Sequence, residues 1–217
     1  NFIARWGTFG TGDGQFSAPR GIEIASSGEA CITDWGNNRI QILTASGVFM
    51  SKWGIGGSGN GQFLLPKGLA RDSAGNIYVS DSGNIKENTR EGAIYRIGKD
   101  SKPVVVINAT GNIRLVAPNG LLMDGNDSVM EVDFLSGRLY RIVLNNGVMN
   151  VLAEGFGGGD GLVLGRNGLL YLSDWANGRI FSLSKGGEVK LISADFKAPA
   201  DMTLAPGGKH LLVPDMK

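Results

Sequence analysis

The sequence is poor in the residues on which several common kinds of site depend. It has one cysteine, Cys31, so an internal disulfide is excluded. It has one histidine, His210, so a zinc site that needs two histidines is excluded as well. A catalytic triad would have to use His210, which falls in a predicted strand. Cys31 alternates inward in a predicted strand and is expected to be a buried, inert thiol. Thiol, zinc and histidine-base chemistry therefore have little support.

Charge and hydropathy narrow the classes further. The 217 residues carry a net charge of +1, which is too small to indicate a nucleic-acid or membrane surface. No apolar run approaches the roughly 20 residues that span a bilayer, and no signal-peptide pattern is visible. We therefore predict no nucleic-acid partner and no membrane insertion. Because the first residue is Asn1, the chain is processed, trimmed or a fragment, and processing would suit an exported (periplasmic or extracellular) protein.

Glycine is abundant, with 35 residues, while charged residues make up only 19% of the chain. This balance is typical of an all-β domain with many tight turns. An aspartate also closes a short apolar run five times, at spacings of 47, 52, 41 and 41 residues. The five are Asp34, Asp81, Asp133, Asp174 and Asp215. A repeat of about 40–50 residues made of short strands predicts a β-propeller.

Each repeat reads as four short strands separated by turn residues. In the first repeat we predict strands over 21–25, 29–34, 39–43 and 48–53, and the next three follow the same plan. The fifth repeat stops after its second strand, and residues 2–6 copy the fourth strand of the first repeat. Either the two ends meet in one composite blade, or the natural protein is longer.

We favour the longer protein, because an incomplete blade leaves strand edges unpaired. The prediction is an all-β, six-bladed β-propeller of which this chain shows four complete blades plus partial blades. Residues 1–217 would then form a single domain that is incomplete at one or both ends.

The repeated aspartates are predicted to be structural. A catalytic residue is needed once, whereas a residue present in every repeat serves the fold. We expect each aspartate to hold the turn after the second strand through hydrogen bonds from backbone amides. Trp35 and Trp175 follow two of these aspartates and are expected to pack between blades. The charged segment 85–91 is read either as a lid or partner contact or as a tolerated surface loop.

Candidate functional residues lie just before the innermost strand of each repeat. Because innermost strands surround the channel of a propeller, these residues are expected to ring one of its mouths. They are Arg20, Lys67, Asn119, Asp160 and Ala200. Arg20 and Lys67 would hold the anionic group of a substrate, or alternatively serve only as solvated surface charges. Asn119 and Asp160 precede glycines, so they are either functional or plain turn formers.

The first half of the chain resembles the NHL repeat. The run Gly14-Gln15-Phe16, followed by Pro19-Arg20-Gly21-Ile22, returns as Gly61-Gln62-Phe63, followed by Pro66-Lys67-Gly68-Leu69. The resemblance covers residues 1–107 and implies a propeller, but the fold hosts unrelated functions.

The second half resembles the regucalcin–gluconolactonase family of six-bladed propellers. The matching runs are Pro118-Asn119-Gly120-Leu121 and Gly159-Asp160-Gly161-Leu162. The resemblance implies that Asn119 and Asp160 bind a divalent metal, Ca²⁺ being the expected ion. The family's third ligand, a glutamate of the first blade, is not visible in this sequence.

Two functions follow as expectations. The first is a gluconolactonase-like, metal-dependent hydrolase of a small lactone or ester, in which Asn119 and Asp160 hold the metal and no catalytic residue is assigned. The second is a non-catalytic NHL-type propeller that binds a protein or another ligand on its upper face. The partner at the channel mouth would be a small anionic molecule in the first case. In the second case it would be a protein or other ligand.

Overall fold

Five successive antiparallel sheets make up the computed structural model, which describes residues 5–57, 59–83, 92–98, 102–108 and 114–216. Four sheets have four strands in chain order and the fifth has two. The part of the chain that is described contains no α-helix, only a 3₁₀ turn at Trp35–Asn37. In the same residues, no helix has the length and apolar character needed to cross a bilayer.

The sheets are called blades 1–5, and their strands run from the inner to the outer edge. Blade 1 comprises Pro19–Ile24, Ala30–Asp34, Arg39–Leu43 and Phe49–Trp53. Blade 2 comprises Pro66–Arg71, Ile77–Asp81, Ala93–Ile97 and Val104–Ile107. Blade 3 comprises Pro118–Asp124, Ser128–Asp133, Arg138–Val143 and Met149–Glu154. Blade 4 comprises Gly159–Leu164, Leu170–Asp174, Arg179–Leu183 and Val189–Ser193.

Blade 5 comprises Thr203–Leu204 and Leu211–Leu212. Two short parallel pairs precede blades 1 and 2. They are Thr8–Phe9 with Gln15–Phe16, and Ile55–Gly56 with Gln62–Phe63. The inner strands of blades 1–4 lie side by side in chain order, which is the arrangement of a β-propeller. The predicted all-β propeller is confirmed, whereas the six-blade count and the extent of the domain stay predictions.

The apolar core lies between the blades. One buried cluster joins blades 1 and 2, a second joins blades 2 and 3, and a third joins blades 3 and 4. Cys31 is fully buried in the first cluster, and burial raises the pKa of its thiol to about 12. This thiol is a packing group, as its place in a strand predicts.

The repeated aspartates accept backbone hydrogen bonds, as predicted. Asp133 accepts from the amides of Leu135 and Ser136 in the turn after the second strand. It also accepts from Val116 and Ala117, which precede the inner strand. Four blades share this second contact, from a residue 17 positions earlier in the chain: Ser17 to Asp34, Leu64 to Asp81, Val116 to Asp133 and Ala198 to Asp215. Asp34, Asp81 and Asp133 therefore each tie together two loops at the same end of their blade, while Asp174 accepts from the Asn177 amide in the turn after its strand.

The predicted starts of the inner strands are wrong by two residues. The strands of blades 1–4 begin at Pro19, Pro66, Pro118 and Gly159, where each first residue pairs with the repeated aspartate. A β-bulge follows at once, which breaks the alternation on which the prediction depends. The expected strand at residues 2–6 is not found at residues 5 and 6, while residues 1–4 lie outside the described residues. The proposed lid at residues 85–91 also lies outside them.

Candidate site at the channel mouth

The bulges carry the predicted site residues. Arg20, Lys67, Asn119 and Asp160 each occupy the position after the first residue of an inner strand, in blades 1 to 4 respectively. A bulge turns a side chain away from its normal direction, so these four residues reach one space. All four line a cavity of about 1010 Å³ along the inner strands, together with Ala200 of blade 5. The structure thus brings together residues that lie up to 140 positions apart in the chain.

Asp160 is the electrostatic centre of this group. Burial raises the pKa of its carboxyl, while Lys67, Arg20 and a hydrogen bond from the Asn119 side chain lower it. The pKa of Lys67 is lowered by burial and by Arg20, and raised again by Asp160. Two cations and one carboxylate therefore lie close together, with Lys67 and Asp160 partly desolvated and Arg20 exposed. Perturbed titratable groups that meet in a large cavity are typical of a functional site.

Asn119 is held from three directions. Its side chain is buried, and its Nδ2 donates to the Gly159 carbonyl of blade 4 at 3.3 Å. Its backbone amide donates to Glu131 Oε1 at 3.2 Å, and its carbonyl accepts from Ser80 Oγ at 2.5 Å. Burial, then the neighbouring Asp133, raises the pKa of the Glu131 carboxyl well above its usual range. Asn119 is therefore a fixed link between blades 2, 3 and 4.

Aromatic rings lie against the two cations. The Arg20 guanidinium is 5.3 Å from the centre of the Trp35 ring. The Lys67 ammonium is 6.0 Å from the same ring and 5.6 Å from the centre of the Phe134 ring. Phe134 in turn contacts Trp175 across blades 3 and 4, at 6.0 Å between ring centres. The expectation that the tryptophans pack between blades is confirmed, and Trp35 in addition restrains both cations through cation–π contacts.

Two acidic residues that line the cavity, Asp201 and Glu23, were not predicted as site residues from the sequence. The Asp201 side chain is open to the cavity, and desolvation by the surrounding walls raises the pKa of its carboxyl to about 6; a hydrogen bond from the Met202 amide lowers this pKa, and Asp160 and Glu23 raise it. Burial also raises the pKa of Glu23, against the effect of Arg71. A signal for Asp201 exists, because it stands where the first four repeats have glycine after the mouth residue.

The described residues do not by themselves complete a metal site. Asn119 and Asp160 lie together, but the positive charges of Lys67 and Arg20 already balance the negative charge of the Asp160 carboxylate. Within the described ranges, no three or more histidine, cysteine, aspartate or glutamate side chains form a group that could hold a metal ion. Calcium takes about six to eight oxygen ligands, so one carboxylate beside two cations is a poor fit.

The fold and the cavity define the class: an all-β propeller with a charged site at the mouth of its channel. No protein-family model matches the sequence, and no curated protein matches it. Solved structures do match its shape. Virginiamycin B lyase from Staphylococcus aureus superposes with a TM-score of 0.67 at 18% identity, over 91% of this chain and 63% of that one.

Two further solved structures are similar to this chain in shape. A streptogramin B lyase gives a TM-score of 0.65 at 16% identity, over 89% of this chain and 61% of that one. A catalytically inactive variant of the Staphylococcus aureus lyase with quinupristin gives 0.68 at 17% identity, over 91% and 63%. This chain thus spans somewhat over three fifths of the length of these proteins. At such identities the likeness establishes the fold.

Proposed function

We propose that the channel mouth binds a small anionic molecule and that the protein hydrolyses a lactone or ester bond in it. One observation carries the proposal: side chains from three blades, two of them cationic, meet around one partly buried carboxylate of a fourth blade in one cavity. Two cations that lie against aromatic rings, Lys67 partly desolvated and Arg20 exposed, are suited to the carboxylate or phosphate of a ligand. The solved structures of similar fold are lyases, so propellers of this shape do support catalysis.

The residues of the mouth supply the groups that hydrolysis requires. Asp160, whose pKa burial raises, accepts a proton from a water molecule whose oxygen adds to the substrate carbonyl. Lys67 and Arg20 stabilise the negative charge that develops on the carbonyl oxygen. Asp201, with its pKa of about 6, donates a proton to the departing oxygen and recovers one from the neighbouring Asp160. The net reaction adds one water across the lactone or ester bond.

The rival function is a non-catalytic NHL-type propeller that binds its ligand at the same mouth. The charge balance favours it, because Lys67 and Arg20 are already the counterions of Asp160. His210 offers no further base at the site, since it is exposed and is not among the residues that line the cavity. The two functions share the anion-binding pair and differ in whether Asp160 does chemistry.

Asp160→Asn and Lys67→Met separate the two functions. We expect Asp160→Asn to slow hydrolysis of δ-gluconolactone or 4-nitrophenyl esters about 100-fold, the usual contribution of a general base. We expect Lys67→Met to lower kcat for these neutral compounds at least tenfold, because a charge that stabilises the developing oxyanion is lost, and to weaken the binding of gluconate or phosphate about tenfold. The matched control is Lys190→Met, an exposed lysine of blade 4.

Three outcomes are distinguishable in this experiment. Unchanged rates in Asp160→Asn contradict the hydrolase. If the wild-type protein hydrolyses none of these compounds but binds gluconate or phosphate, and Lys67→Met weakens that binding, the binding module is supported. If neither hydrolysis nor anion binding is found, the hydrolase and an anion-binding module are both contradicted, and only the binding of a protein or another ligand is left.

That Asn119 and Asp160 hold a divalent cation stays a prediction. If they do, titration of the wild-type protein with CaCl₂ in a calorimeter shows a binding heat that Asp160→Ala abolishes. Asp13→Ala is the control, because it removes an exposed carboxylate of blade 1's loop that pairs with Lys52. A calcium heat that is the same in all three proteins contradicts the prediction.

A further inference from the structure

A hydroxyl group links each blade to the next at the channel mouth in blades 1, 2 and 4. It accepts the amide of its own blade's inner-strand glycine and donates to the carbonyl of the next blade's mouth residue. The hydroxyls belong to Thr33, which bonds Gly21 and Lys67, to Ser80, which bonds Gly68 and Asn119, and to Ser173, which bonds Gly161 and Ala200. The link therefore fixes the backbone of the mouth residues.

Blade 3 departs from this arrangement. The residue before its repeated aspartate is Val132, so among the described residues no side-chain hydroxyl donates to the carbonyl of Asp160. Instead Glu131, one position earlier, accepts the backbone amide of Asn119. The exception falls at the junction between the two blades that supply Asn119 and Asp160. The repeated hydrogen-bond pattern is thus interrupted at two residues of the candidate site.

Packing does not account for Glu131. Its equivalents in blades 2 and 4 are Val79 and Leu172, which belong to the apolar core between blades. Glu131 is 0% exposed, and its Oε2 has no hydrogen-bond partner among the described residues. A buried polar group without a partner costs about 1–3 kcal/mol, which offsets the stability gained from the bond between Oε1 and the Asn119 amide. The carboxyl group therefore adds little to the stability of the blade, which points to another role.

We propose that Glu131 is a positioning residue for Asn119. Its Oε1 fixes the backbone amide of Asn119 from within blade 3, while Ser80 fixes the carbonyl from blade 2. With both ends of the residue held, the Asn119 side chain extends to blade 4, where its Nδ2 donates to the carbonyl of Gly159, the residue before Asp160. Glu131 thereby fixes the Asn119 side chain beside Asp160. Its effect on catalysis depends on the hydrolase proposed above.

A double-mutant cycle tests this role. Glu131→Leu restores the residue type of blade 4. Because it removes both the unpartnered Oε2 and the acceptor of the Asn119 amide, we expect the melting temperature to change little while hydrolysis of δ-gluconolactone slows at least tenfold. Glu131→Gln retains an oxygen that accepts the Asn119 amide, so its rate should stay within about threefold of the wild type. In an Asn119→Ala background, Glu131→Leu should have no further effect on the rate.

The rate data overturn the proposal if Glu131→Leu leaves hydrolysis unchanged, or if it slows hydrolysis equally in the Asn119→Ala background. A fall in melting temperature that fully accounts for the lost rate overturns it as well. These results leave the hydrolase itself standing, because the wild-type protein would still be active.

A second readout is independent of hydrolysis and decides the case in which the wild-type protein is inactive. Amide hydrogen exchange at Asn119 should become at least tenfold faster in Glu131→Leu and stay near the wild-type rate in Glu131→Gln. Equal exchange in all three proteins overturns the proposal. Faster exchange in Glu131→Leu alone supports it, even where the proposed hydrolase has failed.

Discussion

Replacement of Asp34 by alanine is expected to lower the free energy of unfolding by about 3–5 kcal/mol, the usual cost of removing one partner of a buried ion pair. Asp34 is fully buried and bonds the Arg39 guanidinium at 2.7 Å. It also accepts from the Ser17 amide at 2.7 Å and from the Asn37 and Gln41 side chains. In its absence the buried Arg39 keeps only backbone carbonyls, which do not neutralise its charge.

Urea unfolding of the wild-type protein, Asp34→Ala and Asp13→Ala measures the effect. Asp13 forms an ion pair with Lys52, but both side chains are about half exposed. Exposed pairs contribute about 0–1 kcal/mol, so Asp13→Ala should change the midpoint little. Equal midpoints for the two variants would show that the repeated aspartate does not hold the blade together.

Gly120→Ala is expected to destabilise the protein by about 2–3 kcal/mol and to impair the site at the same time. A Cβ at Gly120 would lie 2.2 Å from the carbonyl oxygen of Asp160 and 3.1 Å from Val132 Cγ1. The carbonyl belongs to the backbone of the next blade, so blades 3 and 4 must move apart. Asp160 would then lose its place beside Asn119, and we expect hydrolysis or anion binding to weaken at least tenfold.

The control is Gly186→Ala in a turn of blade 4. A Cβ there would meet nothing closer than Ser184 Oγ at 3.7 Å, which is an ordinary contact. Thermal unfolding and the δ-gluconolactone or gluconate assay should separate the two variants. Wild-type stability and wild-type activity in Gly120→Ala would contradict the close approach of the two inner strands.

Asp34→Ala and Gly120→Ala act on two different kinds of contact in the propeller. Asp34 tests the hydrogen bonds and the ion pair that hold the loops of one blade together. Gly120 tests the contact between the inner strands of two blades, which sets the distance between the residues at the mouth. The proposed function at the mouth depends on both, because Arg20, Lys67, Asn119 and Asp160 come from four separate blades. A propeller can vary these residues without changing the strands that carry them.

Strand alternation and turn residues were enough to predict the blades from the sequence. Blade 3, predicted over 120–124, 128–133, 138–144 and 148–153, forms strands at Pro118–Asp124, Ser128–Asp133, Arg138–Val143 and Met149–Glu154. The error is concentrated at the start of the inner strand, because a β-bulge interrupts the period of two there. The same bulge carries Asn119, so the pattern fails where the candidate site begins.

The sequence by itself determined the repeated strands, the structural role of the five aspartates and the set of residues that stand at one mouth, since all three follow from a local pattern that recurs. Only the tertiary structure decided which side chains meet there. It shows that Asp201 and Glu23 line the cavity and that Trp35 and Phe134 lie against the two cations. It also shows that Glu131 accepts the backbone amide of Asn119. These contacts join residues of different blades, and their distances depend on how closely neighbouring inner strands pack, which no single repeat encodes.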